Sequence, residues 1–446
     1  MWPLVTFGVA GLDGQEGCPS ASRETCVGAQ RVVYLRRVTP QVPSPPVNPA
    51  ALDSGRRTAG CLFYALGMVA GAGLLFFTFF VPAVVGDDPG RELGGMFTGA
   101  LLALPALFLY VWIPWIVDRF DPEPLWTLLG ALGWGAIAAC GFSAVINSTL
   151  GAIGTELGGP QVGNFVSACI SAPIFEELFK GLGVAGIAWF LKREFDGVVD
   201  GIIYAAFVAL GFAGVENVIY YGRAAMQDMG AAGDASALAG TFFMRGLMTP
   251  WIHPLFTAMT GLGFGLARET TKGSVRFLAP LGGYVAAVVL HSIWNTAATL
   301  SGMLVLVMLP LWFLFVTGFF VIVIVLVRRK GRIIRDHLKD EVLTGHLTLA
   351  ELEFVTSAFS WWQATFTWGG APARRFVEAA SRLALSKWHS RRAAQGHSQT
   401  ISGAFVAPLR KELQQRRDEM ARSLGRALPQ PAPWRPTPEQ PRPPWL

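Results

Sequence analysis

The chain has 446 residues, of which 52% are apolar and only 15% charged, and its mean hydropathy is +0.43. Soluble domains carry about a quarter charged residues, so this composition excludes an ordinary soluble protein and predicts a polytopic membrane protein. The 31 Phe and 15 Trp exclude a disordered or collagenous chain, and the net charge of +6 is gathered in a C-terminal tail and short loops, where it marks membrane topology and not nucleic-acid binding.

Residues 1–60 are polar, with Pro40, Pro43, Pro45, Pro46 and Pro49 clustered ahead of the first apolar run. They are expected to form a disordered cytoplasmic arm and not a signal peptide; a misplaced start codon would account for them equally well. Eight apolar runs follow between 61 and 327, at 61–85, 93–117, 125–150, 162–191, 198–221, 247–267, 277–299 and 302–327. Each suffices to cross a hydrocarbon core ~30 Å thick, and a lipid-exposed backbone must satisfy its own polar groups, so each reads as a helix. The predicted fold is therefore all-α: a bundle of about eight transmembrane helices.

Lys and Arg set the orientation. With a cytoplasmic N-terminus the inner segments hold Arg56 and Arg57, Arg119, Lys192 and Arg193, then Arg268, Lys272 and Arg276, and finally Arg328, Arg329, Lys330, Arg332 and Arg335. The outer loops hold only Arg91, Arg223 and Arg245. Both termini are thus expected to be cytoplasmic, in a multi-pass protein of the cell membrane.

After Val327 the composition turns basic and soluble, and residues 328–428 are expected to form a cytoplasmic helical segment. Thr348 and Glu351 form a capping-box pattern, and 371–390 and 405–427 also read as helical. From Pro429 onward eight residues are Pro, which predicts a disordered, extended tail over 429–446. The basic segment is expected to be a solvated appendage resting on anionic lipid. The five Cys include no C-x-x-C pair, so neither a disulfide framework nor a thiolate zinc site is expected.

Ionisable residues inside spans are costly and point to function by default. Here they are Glu176, Glu177, Lys180, Asp200, Glu216, His253 and His291. Asp200 lies near the inner end of its span, within reach of water, and is set aside. Lys180 is one helical turn from Glu176 and Glu177, so it can neutralise one carboxylate and leave the other free to take a proton or bind a metal. Neighbouring Glu residues point about 100° apart on a helix, so one is expected to face a cavity while the other pairs with Lys180 or packs on a neighbour. The alternative is a buried ion pair that only fixes helix register. Glu216 and Asn217 follow the small-residue stretch Gly211-Phe-Ala-Gly214, which lets another helix come close. His291 and Asn295 share one helix face. Counted at about 1.5 Å per residue from the inner ends, Glu216 lies ~27 Å and His291 ~21 Å up their spans. His253 enters the same outer layer. The run 162–191 is too long for a simple span, and a break at Pro173 would raise Glu176 to mid-membrane, at the floor of an outward-opening cavity.

In this ordered pattern the sequence resembles the PrsW family of intramembrane proteases, related to the CAAX prenyl endopeptidase and bacteriocin-processing superfamily. The matching segments are Glu176-Glu-Leu-Phe-Lys180, Gly211 to Asn217, His253-x-x-x-Thr257-x-x-x-Gly261 and His291-x-x-Trp-Asn295, with the acidic loop Asp118-Arg-Phe-Asp-Pro-Glu-Pro124 ahead of them. The resemblance covers roughly 61–327. It implies an intramembrane endopeptidase in which Glu176 is the catalytic carboxylate and His253, His291 and Asn295 complete the site, with Glu177, Lys180, Glu216 and Asn217 in support. Either Glu176, His253 and His291 hold a metal such as Zn²⁺, or Glu176 activates water without metal while His291 and Asn295 steady the oxyanion. The implied partner is a membrane-anchored protein substrate, an anti-sigma factor being one candidate. A non-catalytic scaffold or proton-coupled transporter could use the same buried groups, although no internal repeat of the kind common in transporters is present.

Overall fold

A computed structural model describes residues 49–118, 120, 122–192, 194–230, 236–395 and 402–431. The arm up to residue 48 and the Pro-rich stretch from 432 lie outside the described residues. The protein is an all-α polytopic membrane protein, with no strand among the described residues. Among the described residues seven helices are long and apolar enough to cross a membrane: α1 (Gly55–Val85), α2 (Pro89–Val117), α3 (Leu125–Gly158), α4 (Pro160–Phe190), α5 (Val198–Gly230), α8 (Gly273–Leu300) and α9 (Gly302–Leu343). The helical backbone of the first span already begins at Pro49, so residues 49–60, expected in the arm, extend that helix.

The sixth run, expected at 247–267, is interrupted. A short helix α6 (Ala237–Phe242) passes into a π turn (Phe243–Met248), the chain bends at 249–251, and α7 (Ile252–Glu269) starts afresh. His253 is consequently the second residue of a helix, and α7, with 18 residues, is not among the seven.

At the centre stands α5, buried without interruption from Val198 to Gly214, as an all-round apolar helix must be. Its glycines decide how closely neighbours approach. A Cβ on Gly211 would lie 2.0 Å from the Leu132 carbonyl oxygen of α3, and one on Gly201 2.2 Å from the Gly261 carbonyl oxygen of α7. Glycine at both positions brings backbone against backbone, the dense packing that drives helix association in lipid.

The helix α4 does not break at Pro173. Instead the six residues Val166–Ser171 form a π turn directly ahead of it. Proline removes an amide donor and crowds the carbonyl one turn back, and the wider π turn absorbs both effects, so a single helix of 31 residues runs from Pro160 to Phe190. Two side chains of α8 donate to carbonyls of this turn: Ser292 Oγ to Cys169 O at 2.8 Å and Asn295 Nδ2 to Ala168 O at 2.9 Å.

Beyond the membrane α9 continues as one 42-residue helix into a C-terminal module of α10 (Leu349–Thr356), α11 (Ser360–Phe366), α12 (Ala371–Gln395) and α13 (Ser402–Leu424). Thr348 and Glu351 close a reciprocal capping box at the start of α10. Fully buried Glu341 joins α9 to α12 and α13, accepting from Lys387 at 2.7 Å and from both arms of Arg410 at 2.7 and 2.8 Å. The module meets the loops of the bundle through Arg382–Glu194 at 3.9 Å, His389–Asp196 at 3.4 Å and Arg392–Glu269 at 3.7 Å.

Asp200, expected to be water-accessible, is 1% exposed. It accepts from the amides of Asp196 and Gly197 at 2.7 and 2.9 Å and from Lys330 Nζ of α9 at 2.8 Å. The sequence position of Asp200 is indeed at the end of a span, but α9 extends past the membrane and covers it.

Candidate active site

Four elements converge inside the bundle. Glu176, Glu177 and Lys180 come from α4, Glu216 and Asn217 from α5, His253 and Thr257 from α7, and His291 from α8. Glu177 and Lys180 are fully buried, while Glu176, His253 and His291 are 6, 8 and 2% exposed.

The two neighbouring glutamates differ in their surroundings. Glu177 is the more fully engaged: Oε1 receives Lys180 Nζ at 2.9 Å and faces His291 Nδ1 at 3.1 Å, and Oε2 receives Thr257 Oγ1 at 2.8 Å. Glu176 is held more loosely, by Asn147 Nδ2 at 3.2 Å on Oε1 and by Lys180 at 3.5 Å on Oε2. Since Glu177 is committed to three buried contacts and Glu176 to two longer ones, Glu176 is the carboxylate freer to take a proton or ligand. Asn147 is itself oriented by Ser171, whose hydroxyl donates to Asn147 Oδ1 at 2.6 Å.

Each histidine is fixed through one ring nitrogen by a carboxylate. His253 Nε2 is 2.7 Å from Glu216 Oε2, and His291 Nδ1 is 3.1 Å from Glu177 Oε1. Those contacts assign the ring protons to the carboxylate-facing nitrogens and leave His253 Nδ1 and His291 Nε2 as acceptors. His253 Nδ1 accepts from Lys180 at 3.1 Å, and His291 Nε2 lies 3.9 Å from Glu176 Oε2. Phe256 stacks on the His291 ring at 5.3 Å, and Phe212 covers Lys180 with its ring centroid 3.9 Å from Nζ. This apolar cover keeps the charged groups in a low-dielectric setting, where their interactions are strong.

Arg245, which sequence reasoning left in an outer loop, belongs to this assembly. It lies in the π turn before α7 and donates to Glu216 Oε2 at 2.6 Å and Asn217 Oδ1 at 2.8 Å, its guanidinium 4.0 Å from the Tyr220 ring centroid. A lone Arg between apolar residues 237–248 was the available signal, but its partner comes from another helix. Asn295 donates through its amide nitrogen to Ala168 O, a tie between α8 and α4.

One donor atom each from Glu176, His253 and His291 lie within 4.8 Å of one another. Two imidazoles and one carboxylate match the protein donor set of a catalytic zinc site, and the carboxylates behind both rings are the usual supports of such ligands. A second acidic group, Asp118, Glu123 and Asp200, is equally compact. There the Lys330 ammonium already balances Asp200, and Tyr204 donates to Glu123 at 2.5 Å, which describes a structural ion cluster.

A buried set of Glu, His and Lys side chains within a helical membrane bundle is a candidate site for intramembrane hydrolysis. Residues 123–327 match the family model described as "PrsW family intramembrane metalloprotease", and this stretch is similar to that family of peptide hydrolases. The chain is 26% identical over 191 residues to Protease PrsW of Oceanobacillus iheyensis, covering 43% of this chain and 78% of that protein. It is 35% identical over 105 residues to Protease PrsW of Geobacillus kaustophilus (24% of this chain, 40% of the relative), and 27% identical over 165 residues to that of Bacillus subtilis (37% and 66%). No solved structure matches. The family match begins at Glu123, so α1, α2 and the C-terminal module lie outside it.

Proposed function

We propose that this protein is an intramembrane endopeptidase that hydrolyses a peptide bond in or next to the transmembrane segment of a membrane-anchored protein, with a metal ion held by Glu176, His253 and His291. The observation that carries this reading is the donor set itself, three buried side chains within 4.8 Å, with Glu216 and Glu177 behind the two histidines. A bound Zn²⁺ would acidify a water and polarise the scissile carbonyl.

The chain's own groups supply the rest. Glu216, steadied by Arg245, holds His253 with Nδ1 directed at Lys180 and the site. Glu177 holds His291 with Nε2 toward Glu176. Asn147 fixes Glu176 through Oε1, leaving Oε2, which faces His291 Nε2, as the oxygen that would reach the metal. Lys180 balances the carboxylates, so that three acidic side chains persist in a buried site. The basic residues Arg57, Lys192, Arg268 and Lys330 gather at one end of the bundle, which supports cytoplasmic termini in a cell-membrane protein. A membrane-anchored anti-sigma factor is the substrate class to assay first.

The test is metal content together with cleavage. Purified protein is expected to hold one zinc equivalent that is lost in His253→Ala and in His291→Ala, and Glu176→Ala is expected to abolish cleavage of a membrane-anchored substrate with insertion unchanged. Full cleavage by chelated, metal-free protein would overturn the metal reading. Cleavage retained by both Glu176→Ala and His291→Ala would overturn the assignment of the site.

A further inference from the structure

Within the strongly charged C-terminal module, the 20 residues from Phe354 to Ala373 contain no Asp, Glu, Lys or Arg. Their middle forms α11, a short amphipathic helix with an unusual division of faces. Ser360 and Ala364 are buried against the module, while Phe359, Trp362 and Phe366 point outward, 67, 58 and 74% exposed. Trp362 and Phe366 stack with centroids 5.6 Å apart, so the outward face is one continuous aromatic surface. Side chains of this size are rarely left in water without a partner.

The position of α11 identifies that partner. Trp361 makes an edge-to-face contact with Trp115 of α2 at 5.9 Å, and Trp115 makes another with Trp112 at 5.2 Å. Trp112 and Trp115 lie within the last two turns of α2, a membrane span whose outer surface presents Phe108, Trp112 and Ile116 at 63, 45 and 57% exposure. The aromatic face of α11 is therefore a lateral continuation of a lipid-facing surface, at the depth where a span meets the headgroups and where Trp side chains concentrate. Arg374 and Arg375 follow immediately at the start of α12, and the Arg374 guanidinium donates to Thr365 Oγ1 at 3.2 Å and sits 5.7 Å from the Trp361 ring. Basic groups beside an in-plane aromatic helix suit an anionic lipid surface.

We propose that α11 is an interfacial membrane anchor: Phe359, Trp362 and Phe366 insert among the lipid headgroups and upper acyl chains of the leaflet at the end of α2, and so hold the C-terminal module against the bilayer. The occupant of this face is lipid, not a soluble partner or a second copy.

The experiment uses the full chain reconstituted in phosphatidylethanolamine and phosphatidylglycerol vesicles doped with a phosphatidylcholine that carries a photoreactive diazirine high on one acyl chain. After irradiation and digestion, lipid adducts are expected on the peptide containing Phe359, Trp362 and Phe366 as heavily as on the α2 peptide containing Phe108 and Trp112, with none on α13. Trp362→Ser with Phe366→Ser is expected to lose the α11 adducts and keep those on α2, which also reports that the bundle is intact. Adducts on the spans but not on α11 would overturn the proposal. So would crosslinks from α11 to α11 of a second molecule in place of lipid adducts.

Discussion

Glu216 Oε2 stands between two donors, 2.7 Å from His253 Nε2 and 2.6 Å from Arg245 Nη2. One carboxylate oxygen thus ties the central helix α5 to the π turn and to the first turn of α7. This arrangement makes His253 a ligand whose direction is set from behind.

The first prediction follows from that link. Glu216→Gln keeps the shape of the side chain and removes its charge, so His253 loses its anionic support and Arg245 is left without an anion. Loss of such support to a metal-bound histidine weakens binding by about 10- to 100-fold. Zinc titration of the purified variant is expected to show that decrease while the helical signal in detergent is unchanged. Unaltered zinc affinity would show that Glu216 holds the helices and not the site.

The adjacent glutamates are expected to part in opposite ways. Glu176 has weaker partners at 3.2 and 3.5 Å, whereas Glu177 is fully buried and engages Lys180, Thr257 and His291. Glu176→Gln should therefore lose cleavage and leave thermal stability nearly unchanged. Glu177→Ala strips a buried ammonium of its nearest anion, a change that typically costs about 3–5 kcal/mol. Thermal unfolding in detergent is expected to shift downward clearly for Glu177→Ala and little for Glu176→Gln; the reverse order would contradict the division of roles.

How much of this was legible in the sequence follows from what each feature depends on. Ionisable groups in apolar spans are few, so Glu176, Glu177, Lys180, Glu216, His253 and His291 could be picked out by cost alone. Asn147 sits in the same kind of span, but a neutral amide costs less to bury and did not draw notice; its role appears only when Glu176 of α4 lies 3.2 Å away. Pro173 signalled a disturbance in α4 correctly, yet periodicity cannot tell a break from a π turn that keeps the helix whole. The surroundings of Arg245 and Asp200 are hidden from the sequence for a common reason. Each takes its partner from a distant part of the chain, Glu216 and Lys330 respectively, and long-range pairing leaves no local pattern.

Helix proximity offers a third prediction. Gly211 has no room for a Cβ, which would lie 2.0 Å from Leu132 O, a backbone atom that can move only with α3. Gly211→Ala must push α3 and α5 apart, and overpacking of this kind costs about 1–3 kcal/mol. Because α5 carries Glu216 and α3 carries Asn147, a shift between them disturbs both supports of the site. Reduced thermal stability accompanied by reduced cleavage is expected, and a variant as stable and active as the parent would show that the contact yields freely.

The last prediction concerns Lys330 and Asp200, where the module-bearing helix α9 meets the start of α5. Asp200 is 1% exposed and accepts from the Lys330 ammonium and from two backbone amides. Lys330→Met leaves a buried carboxylate without its counter-charge, and removing one partner of such a pair costs about 3–5 kcal/mol, whereas removing both charges is often close to neutral. Lys330→Met alone is expected to lower the thermal midpoint strongly, and Lys330→Met combined with Asp200→Asn is expected to recover much of the loss, since the asparagine oxygen can still accept from the Asp196 and Gly197 amides. Limited proteolysis localises the effect: if the pair fastens α9 to the bundle, cleavage of the single variant should first appear between α9 and α10 and retreat in the double variant. Equal instability of the two variants would mean that the ion pair matters for its individual hydrogen bonds and not for its balance of charge.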